Sequence, residues 1–553
     1  MRQKADRIRQ TLRNEYINGW KSHHREIAEA INPRRPRFLV TDNVQAGSKK
    51  NDFIVNNVAT EASNALRAGL RSGTASSARP WFRLTTHDPD LNEIQAVKEW
   101  LHQAEVIVTG VISKSNFYEK IEELYGDLGD FGTAALYIEP DDKEIIRCYV
   151  FPIGSYFLGQ SDRGHVDTIF RDVPMTVSQL VKKFGYEKCC LKVREEFDKK
   201  NINTYFEVVH FIIPNEDWED GAIGPKGKRW TSGWYEVQRT EAENKGILHV
   251  GGYDYFPVMA PRWSVTGSDT YGSSPGMVAL GDARALQHLE EQAMGLVDKL
   301  VSPPMNIPAS LRGQTASLLP GAENYVAGNG AKMEPAVVIH PQALAAVEEK
   351  IRQHEQRIRV AYHADLFRLL DQLDKGQMTA YEVQQRVQEK MQLIGPAYER
   401  AEDELLDPAI EAILWILFDG YYLPPVPQEL AGAEVKAEYT SIIAQAQKAA
   451  ALGGLREILQ VVGNMAAVDP DIVDIVNFDN VVREYAAGLG LSPKLLNTPE
   501  VTQAMRDAKH QMAMQQQQMQ QAAQMAQGAK VLSETDTEGP NALTALLKPT
   551  GRV

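Results

Sequence analysis

The sequence lacks any apolar run long enough to cross a bilayer, and it contains very few cysteines. The longest apolar stretch, AILWILF at 412–418, is far shorter than the roughly 20 residues that a membrane-spanning helix needs. The N-terminus has no apolar segment of the signal-peptide type. Three cysteines cannot form a disulfide framework, and their spacing matches no zinc site. These absences predict a protein made in a reducing cytosol, with no membrane partner, metal or cofactor.

Nucleotide-binding loops are also absent. No stretch matches G-x-x-x-x-G-K-[ST]: GAIGPKGKRW (221–230) has Ala222 where the first glycine is required. AGNGAKM (327–333) fails G-x-G-x-x-G because Met333 occupies the last position. Any ATP-driven work must therefore be done by a partner.

One stretch, GSSPG at 272–276, matches the nucleophile elbow of hydrolases. That site needs the backbone N–H of the residue after the serine, and here this residue is Pro275, which has none. An N-cap at Ser274, with proline at the first helical position, accounts for the same residues. We therefore predict no enzymatic activity.

Charge is unevenly distributed along the acidic chain, whose formal net charge is -14. Residues 1–50 hold twelve Lys or Arg against five Asp or Glu. Within them, NPRRPRF (32–38) predicts an extended basic arm, either a solvated loop or a contact with an acidic partner or DNA. The acids of 399–411 predict a solvated surface, and the histidines of SHHREIAEA (22–30) predict a surface helix rather than a metal site.

Periodicity and turn residues predict an α+β protein that is mostly helical, in roughly three or four structural units at about 150 residues each. Helices are expected over 1–31, 52–72 and 91–129, and short aromatic and β-branched strands separated by turns over 133–265. From 274 the chain becomes mostly helical. A helix to about Val301 and an apolar stripe from Leu344 to Leu369 flank a Pro/Gly-rich segment with strand fragments.

The segment HQMAMQQQQMQQAAQMAQ (510–527) contains only good helix formers after its histidine. Met505, Met512 and Met519 recur every seven residues, as in the core of a coiled coil. A single helix of this kind is marginal in water. Either several copies pack as a helical barrel, or the segment is a flexible Gln-rich tail.

Several stretches resemble the head-to-tail connecting (portal) proteins of short-tailed bacteriophages (podoviruses). They occur in the order found in the family and cover most of residues 15–510. The stretches are GLRSGTASSARPWFRL (69–84), LGDFGTAALYIEPD (128–141), RWSVTGSDTYGSSPGMVAL (262–280), KLVSPPMNIP (299–308), KGQMTAYEVQQRVQEKMQLIGPAYERAEDELLDP (375–408) and YYLPPVP (421–427).

The resemblance implies a subunit of a twelve-membered ring at one capsid vertex, through which double-stranded DNA passes during packaging, retention and ejection. It also implies a division of the chain into the parts of a portal subunit. These parts are a mixed α/β wing (1–273), a stem helix (274–301), a clip (302–341), a second stem helix (342–370), a tunnel loop (371–378), a return helix to the wing with a linker (379–427), a crown (428–510) and a C-terminal barrel helix or disordered tail (511–553).

The resemblance implies two sets of site residues and several partners. The tunnel loop that would line the DNA channel contributes Asp371, Gln372, Asp374, Lys375 and Gln377. The clip that would dock the packaging motor and later the tail contributes Pro303, Pro304, Met305, Arg312, Gln314 and Lys332. Expected partners are other copies of the chain, the major capsid protein, the terminase large subunit with its ATPase motor, tail adaptor or nozzle proteins, scaffolding and internal core proteins, and DNA bound without sequence specificity.

The expected location is the virion, after assembly in the cytoplasm of a host bacterium. An alternative is another structural virion protein, such as a scaffolding protein or an ejected internal core protein, which would also be helical and Gln-rich. The Pro-rich segment between two long helices favours the portal. A hydrolase using Ser274 is the third hypothesis, and it would be inactivated by Ser274→Ala.

Overall fold

The structure is a computed structural model, and its description covers most of the N-terminal three quarters of the chain. The described residues are 1–33, 54–77, 80–238, 246–307, 334–336, 338, 340–366, 394–439, 460–465, 477–482 and 499–533. Two compact units are distinguished, one formed by residues 1–92 and 100–447, the other by 93–99 and 448–553. None of the described helices is both long and apolar enough to span a membrane.

Helices and strands alternate in the first unit, as the sequence predicts for a mixed fold. The helices are α1 (Arg2–Gly19), α2 (Lys21–Ala30), α3 (Val58–Thr74), α4 (Pro89–Glu93), α5 (Gln95–Lys114), α6 (Phe117–Phe131), α7 (Val177–Phe184), α8 (Leu191–Asp198), α9 (Pro275–Val301), α10 (Pro341–Ala361) and α11 (Asp407–Asp419); α12 (Pro499–Ser533) belongs to the second unit. The strands are β1 (Phe82–Thr86), β2 (Ala135–Asp141), β3 (Ile145–Phe151), β4 (Tyr156–Gln160), β5 (Val166–Thr176), β6 (Tyr205–Pro214), β7 (Trp230–Glu236), β8 (His249–Tyr253), β9 (Val258–Met259), β10 (Met305–Asn306), β11 (Glu334–Pro335) and β12 (Val435–Tyr439).

The strands form antiparallel sheets. The largest described sheet has five strands in the order β4-β5-β6-β7-β8, and a second has three in the order β3-β2-β9. One face of the larger sheet carries a small apolar core with α7 and α8, which includes Leu180, Val193 and Val208. The five strands pair in sequence order, and α7 and α8 lie within the connection between β5 and β6.

The main helical core forms where α3, α6, α9 and α10 pack together. Leu66 of α3 and Ile121, Leu124 and Tyr125 of α6 are at most 1% exposed, and Leu286 of α9 is fully buried. Gly129 lies against Leu66, so that a side chain there would collide with the leucine. Close packing of this kind makes the base of the long helices rigid.

Three helices that the sequence predicts as continuous are interrupted. The helix expected over 1–31 is divided at Trp20, and that expected over 91–129 is divided at Ile94 and at Ser115–Asn116. The apolar stripe from Leu344 predicts a rod of roughly 28 residues, but α10 ends at Ala361, and His363 has a φ of 52°. Tyr362 is fully buried there. Tertiary packing of that ring therefore outweighs the helical periodicity.

Candidate functional site

The start of α9 is fixed by the serine that the hydrolase motif would use as its nucleophile. Ser274 Oγ accepts a hydrogen bond from Met277 N at 3.0 Å and donates one to Asp130 O at 2.7 Å. Pro275 follows at the first helical position. The hydroxyl is buried and occupied by two structural hydrogen bonds, which agrees with the predicted helix start.

The carboxylate of Asp130, at the end of α6, joins three separate segments of the chain. It accepts hydrogen bonds from Ser63 Oγ at 2.7 Å, Tyr362 OH at 3.1 Å and Asn32 Nδ2 at 3.2 Å. Asp130 is fully buried, and burial followed by the charge of Asp130 raises the pKa of Tyr362 well above its ordinary value. The bases of α2, α3 and α10 are therefore tied to one anionic group.

A single asparagine bridges the two long helices α9 and α10. Asn56 Nδ2 donates to Glu290 Oε1 of α9 at 2.7 Å and to Glu355 Oε1 of α10 at 3.0 Å. Its backbone N–H and carbonyl exchange hydrogen bonds with the amide of Gln287 at 3.0 and 2.8 Å. The segment before α3 thus fixes the register between the two helices.

A charged contact joins the same two helices nearby. His354 Nδ1 lies 2.7 Å from Asp282 Oδ1, and Arg357 lies 3.6 Å from the same oxygen. Farther along α9, four apolar side chains on adjacent turns remain at least 41% exposed: Met294, Val297, Leu300 and Val301. The paired helices are thus supported at one end and present apolar surface at the other.

The exposed end of the helix pair is closed by a short two-stranded ribbon. Met305 of β10 pairs with Pro335 of β11, and Ala336 N donates to Pro304 O at 2.6 Å. Pro303, Pro304 and Met305, predicted as docking residues, lie at the junction of α9 and this ribbon. The other predicted docking residues, Arg312, Gln314 and Lys332, lie outside the described residues. So do all five predicted tunnel-loop residues, Asp371, Gln372, Asp374, Lys375 and Gln377.

The acids of 399–411 are a solvated surface only in part: Glu399, Asp403, Asp407 and Glu411 are exposed, as predicted, whereas Glu402 and Glu404 are half-buried. Glu404 forms a buried ion pair with Arg262, with Nη2 2.7 Å from Oε1 and the backbone N of Arg262 2.8 Å from Oε2. Residues Glu402–Leu406 form a π-helical turn immediately before α11. Burial, followed by the charges of Asp407, Asp403 and Glu399, raises the pKa of Glu402 to about 7.

The helix predicted around His23 and His24 is present as α2, but one of its faces is buried and includes His24. His24 is fully buried among Tyr16, Trp20 and Tyr271, with Nδ1 3.3 Å from Tyr16 OH. Burial lowers its pKa to about 3. Aromatic packing, which periodicity could not reveal, explains its position. Among the described residues, no group of three or more His, Cys, Asp or Glu side chains could hold a metal ion.

The second unit contains one long helix whose methionines are exposed. Within α12, Met505, Met512, Met514, Met519 and Met525 are 53–75% exposed. Arg506 forms two hydrogen bonds to the carboxylate of Asp479, at 2.5 and 2.6 Å. Residues 510–527 are helical, as the barrel alternative requires, and α12 begins earlier, at Pro499.

Sequence reasoning did not identify the residues that hold the long helices in place. Asp130, Arg262 and Glu404 lie in stretches that carry the family resemblance, whereas Asn56 and Tyr362 lie outside all of them. Their partners are up to 299 positions away, for example Glu355 for Asn56. For Asp130, Arg262 and Glu404, position within the shared stretches was the only feature of the sequence that could have indicated this role.

Comparison with known proteins agrees with the resemblance along nearly the whole chain. A model of the family "Bacteriophage head to tail connecting protein" matches residues 2–496. The portal protein of Salmonella phage epsilon15 is 37% identical over 543 residues, covering 98% of this chain and 97% of the relative. A probable portal protein of Bordetella phage BPP-1 is 36% identical over 531 residues, covering 95% and 94%.

Among solved structures, the neck of an empty gene transfer agent particle matches 73% of this chain and 87% of its own, at 10% identity and a TM-score of 0.33. The extent and identity of the sequence matches decide the assignment. The chain belongs to the family of bacteriophage head-to-tail connecting proteins, the portal proteins.

Proposed function

We propose that twelve copies of the chain form a ring at one capsid vertex, through which double-stranded DNA is packaged, retained and ejected. The family match over residues 2–496 is the observation that carries the proposal. Long helices held rigidly at one end and joined at the other by a Pro-rich ribbon suit a channel wall with a docking tip. Binding sites are commonly borne on loops that a rigid scaffold positions.

Within this ring, α9 and α10 serve as the stem and residues 302–341 as the clip. The clip docks the terminase motor during packaging and the tail proteins afterwards. The support for this assignment is the position of Pro303 and Pro304, at the point where α9 leaves its helical partner and enters the ribbon. Residues 1–273 and 379–427 form the wing, which contacts the capsid protein.

Residues 371–378 form the tunnel loop. Lys375 is the only cation in this segment, which also contains two aspartates and two glutamines. A loop with so few cations grips the phosphate backbone weakly, which allows DNA to slide. Residues 428–510 form the crown inside the capsid, where scaffolding and internal core proteins contact the ring. The methionine face of α12 then packs with those of neighbouring copies as a helical barrel, which covers side chains that are exposed in one chain.

The mass of the assembled protein tests the proposal. A dodecamer of this 61.7 kDa chain has a mass of about 740 kDa, which native mass spectrometry resolves from rings of eleven or thirteen. Electron microscopy of the same sample should show a ring with a central channel. A scaffolding or ejected core protein would instead form a small oligomer without a channel, and that result would contradict the proposal.

A further inference from the structure

A row of side chains crosses one face of the five-stranded sheet and contains no acid. Arg171 of β5 lies opposite His210 of β6, which lies opposite Trp234 of β7, and Trp234 lies opposite His249 of β8. Directly opposed side chains on neighbouring strands are about 5 Å apart. The imidazole of His210 stacks on the indole of Trp234, with the ring centroids 4.0 Å apart. The row therefore places a cation beside a flat aromatic surface, away from the stem, the clip and the proposed tunnel loop.

Two cations border this aromatic surface, and each lies against a ring rather than against an acid. The guanidinium carbon of Arg171 is 3.8 Å from the centroid of the Phe151 ring of β3. Lys183 Nζ, on α7, is 4.0 Å from the centroid of the Trp234 ring. Within the described part of the chain, neither side chain forms a hydrogen bond or an ion pair. Their donor groups can therefore meet an anion that supplies acceptor oxygens.

Burial makes these two unpaired charges unfavourable. Arg171 is half-buried, and burial lowers its pKa to about 10, against the opposing effect of Tyr137, Glu139 and Tyr149. Burial also lowers the pKa of Lys183, which Glu139 raises and the charge of Arg171 lowers further. The two cations are thus close enough to repel each other. Repulsion between like charges and partial removal from water both favour the binding of a counter-ion.

One carboxylate, that of Glu139 on β2, acts on both cations. It forms an ion pair with neither of them in the described part of the chain. His210 adds no charge, because burial, followed by the charges of Arg171 and Lys183, lowers its pKa well below the ordinary value. Two positive charges and one negative charge leave one positive charge uncompensated. A guanidinium fork beside an ammonium group is suited to the oxygens of a phosphate.

The surroundings of the two cations favour a small oxyanion over a nucleobase. Lys183 is exposed and Arg171 is half-buried, so this place on the sheet is open to solvent. His210 and Lys183 both lie 4.0 Å from the centroid of Trp234, which requires them to occupy opposite faces of the indole. Neither face is then free to stack on a base. A ligand is recognised here by its charge and its acceptor oxygens.

We propose that Arg171 and Lys183 form a binding site for a phosphate-type oxyanion. The guanidinium and the ammonium group donate hydrogen bonds to its oxygens, and the negative charge of Glu139 limits the affinity. The phosphate comes either from a free anion or from the backbone of a nucleic acid, because both present the same group. The site lies within one chain and does not depend on how many copies form the ring.

Differential acylation of lysines in the full-length protein tests the proposal. The N-hydroxysuccinimide ester of acetic acid modifies free amines, and mass spectrometry gives the rate at each lysine. Inorganic phosphate at about ten times its dissociation constant should lower the rate at Lys183 about tenfold, because only the unoccupied site reacts. Lys182, the exposed neighbour on the same helix, should react at an unchanged rate. Sodium chloride at equal ionic strength should protect neither lysine, and equal protection of both lysines, or of neither, by phosphate would overturn the proposal.

The same assay distinguishes the two sources of the phosphate group. A short double-stranded DNA is titrated in place of inorganic phosphate. Protection of Lys183 at a lower phosphate concentration than inorganic phosphate requires assigns the site to nucleic acid. Protection by inorganic phosphate alone assigns it to a free anion.

Two substitutions should change the affinity in opposite directions. Arg171→Met retains an unbranched stem against Phe151 but removes the charge, and should weaken phosphate binding about tenfold or more. Glu139→Gln removes the competing negative charge and should tighten binding about fivefold. Lys192→Met removes an exposed cation of α8 and should leave the dissociation constant unchanged. Unchanged or weaker binding in Glu139→Gln would refute the assignment, and a folding defect does not produce tighter binding.

Discussion

At the scale of single residues, Asp130 shows how one buried carboxylate can organise a large subunit. The side chains that donate hydrogen bonds to it include Asn32, Ser63 and Tyr362, which are spread over more than 300 positions. A charged acceptor forms stronger hydrogen bonds than a neutral one. These donors together offset the cost of burying the carboxylate.

Asp130→Ala should lower the free energy of unfolding by about 3 kcal/mol or more, because several buried donors lose their acceptor together. Asp130→Asn retains one acceptor oxygen and should cost less. Urea unfolding of both variants measures the difference. Tyr362→Phe removes one donor only and serves as the control; a loss in Tyr362→Phe equal to that of Asp130→Ala would show that the carboxylate is not the hub.

The raised pKa of Glu402 predicts that the stability of the folded protein depends on pH. Its pKa of about 7 in the folded protein is higher than the ordinary value of 4.5, so the folded state binds the proton more tightly. The stabilising contribution is complete below about pH 4.5 and is lost as pH rises through 7. Glu402→Gln should therefore raise the Tm at pH 8 but leave it nearly unchanged at pH 4.

Differential scanning calorimetry of Glu402→Gln at the two pH values provides the measurement. Glu195→Gln is the matched control, because Glu195 is exposed on α8 and is not among the charges that act on Glu402. A Tm gain at pH 8 that is the same for both variants would indicate a general charge effect instead.

At the scale of elements, the helix pair is held by short polar contacts at its base and ends in the ribbon. Much of this could be read from the sequence. The start of α9 at Ser274–Pro275 and its end near Val301 were predicted and are confirmed. The early end of α10 could not be predicted, because the buried ring of Tyr362 and its bond to Asp130 decide it.

Substitution of Asn56 tests the coupling between α9 and α10. Asn56→Ala removes both amide donors, which leaves Glu290 and Glu355 without their shared partner, and should cost about 2 kcal/mol. Amide hydrogen exchange should become faster in α9 and α10 near these residues. Asn57→Ala, at the exposed neighbouring position, is the control, and unchanged exchange in Asn56→Ala would show that helix packing alone sets the register.

Substitution of Ser274 distinguishes a structural role of its hydroxyl from a catalytic one. Ser274→Ala removes the cap hydrogen bond to Met277 and the bond to Asp130 O, and should destabilise the protein by about 1–2 kcal/mol. Ring formation should persist, since the cap contributes to one helix only. A hydrolytic activity in the natural protein that disappears in Ser274→Ala would contradict the structural assignment.

At the scale of the whole molecule, different parts of the proposed portal serve ring assembly and the handling of DNA. Deleting residues 371–378 should leave the number of subunits in the ring unchanged, because the proposed loop contacts DNA rather than other subunits. Packaging or retention of DNA should fall, as measured by nuclease-protected DNA per capsid. An eight-residue Gly/Ser replacement separates the loss of length from the loss of side chains, and a failure of the ring to assemble would make the loop a folding element.

The sequence by itself determined the mixed helix-and-sheet class, the start of α9 and the family. Each of these depends on local propensity, on turn chemistry or on stretches of neighbouring residues. Only the tertiary structure decided that His24 is buried, that Glu404 pairs with the buried Arg262, that Asp130 joins three segments and that Asn56 bridges two helices. These contacts join positions up to 299 apart, and no local pattern records which distant side chain will satisfy a buried polar group.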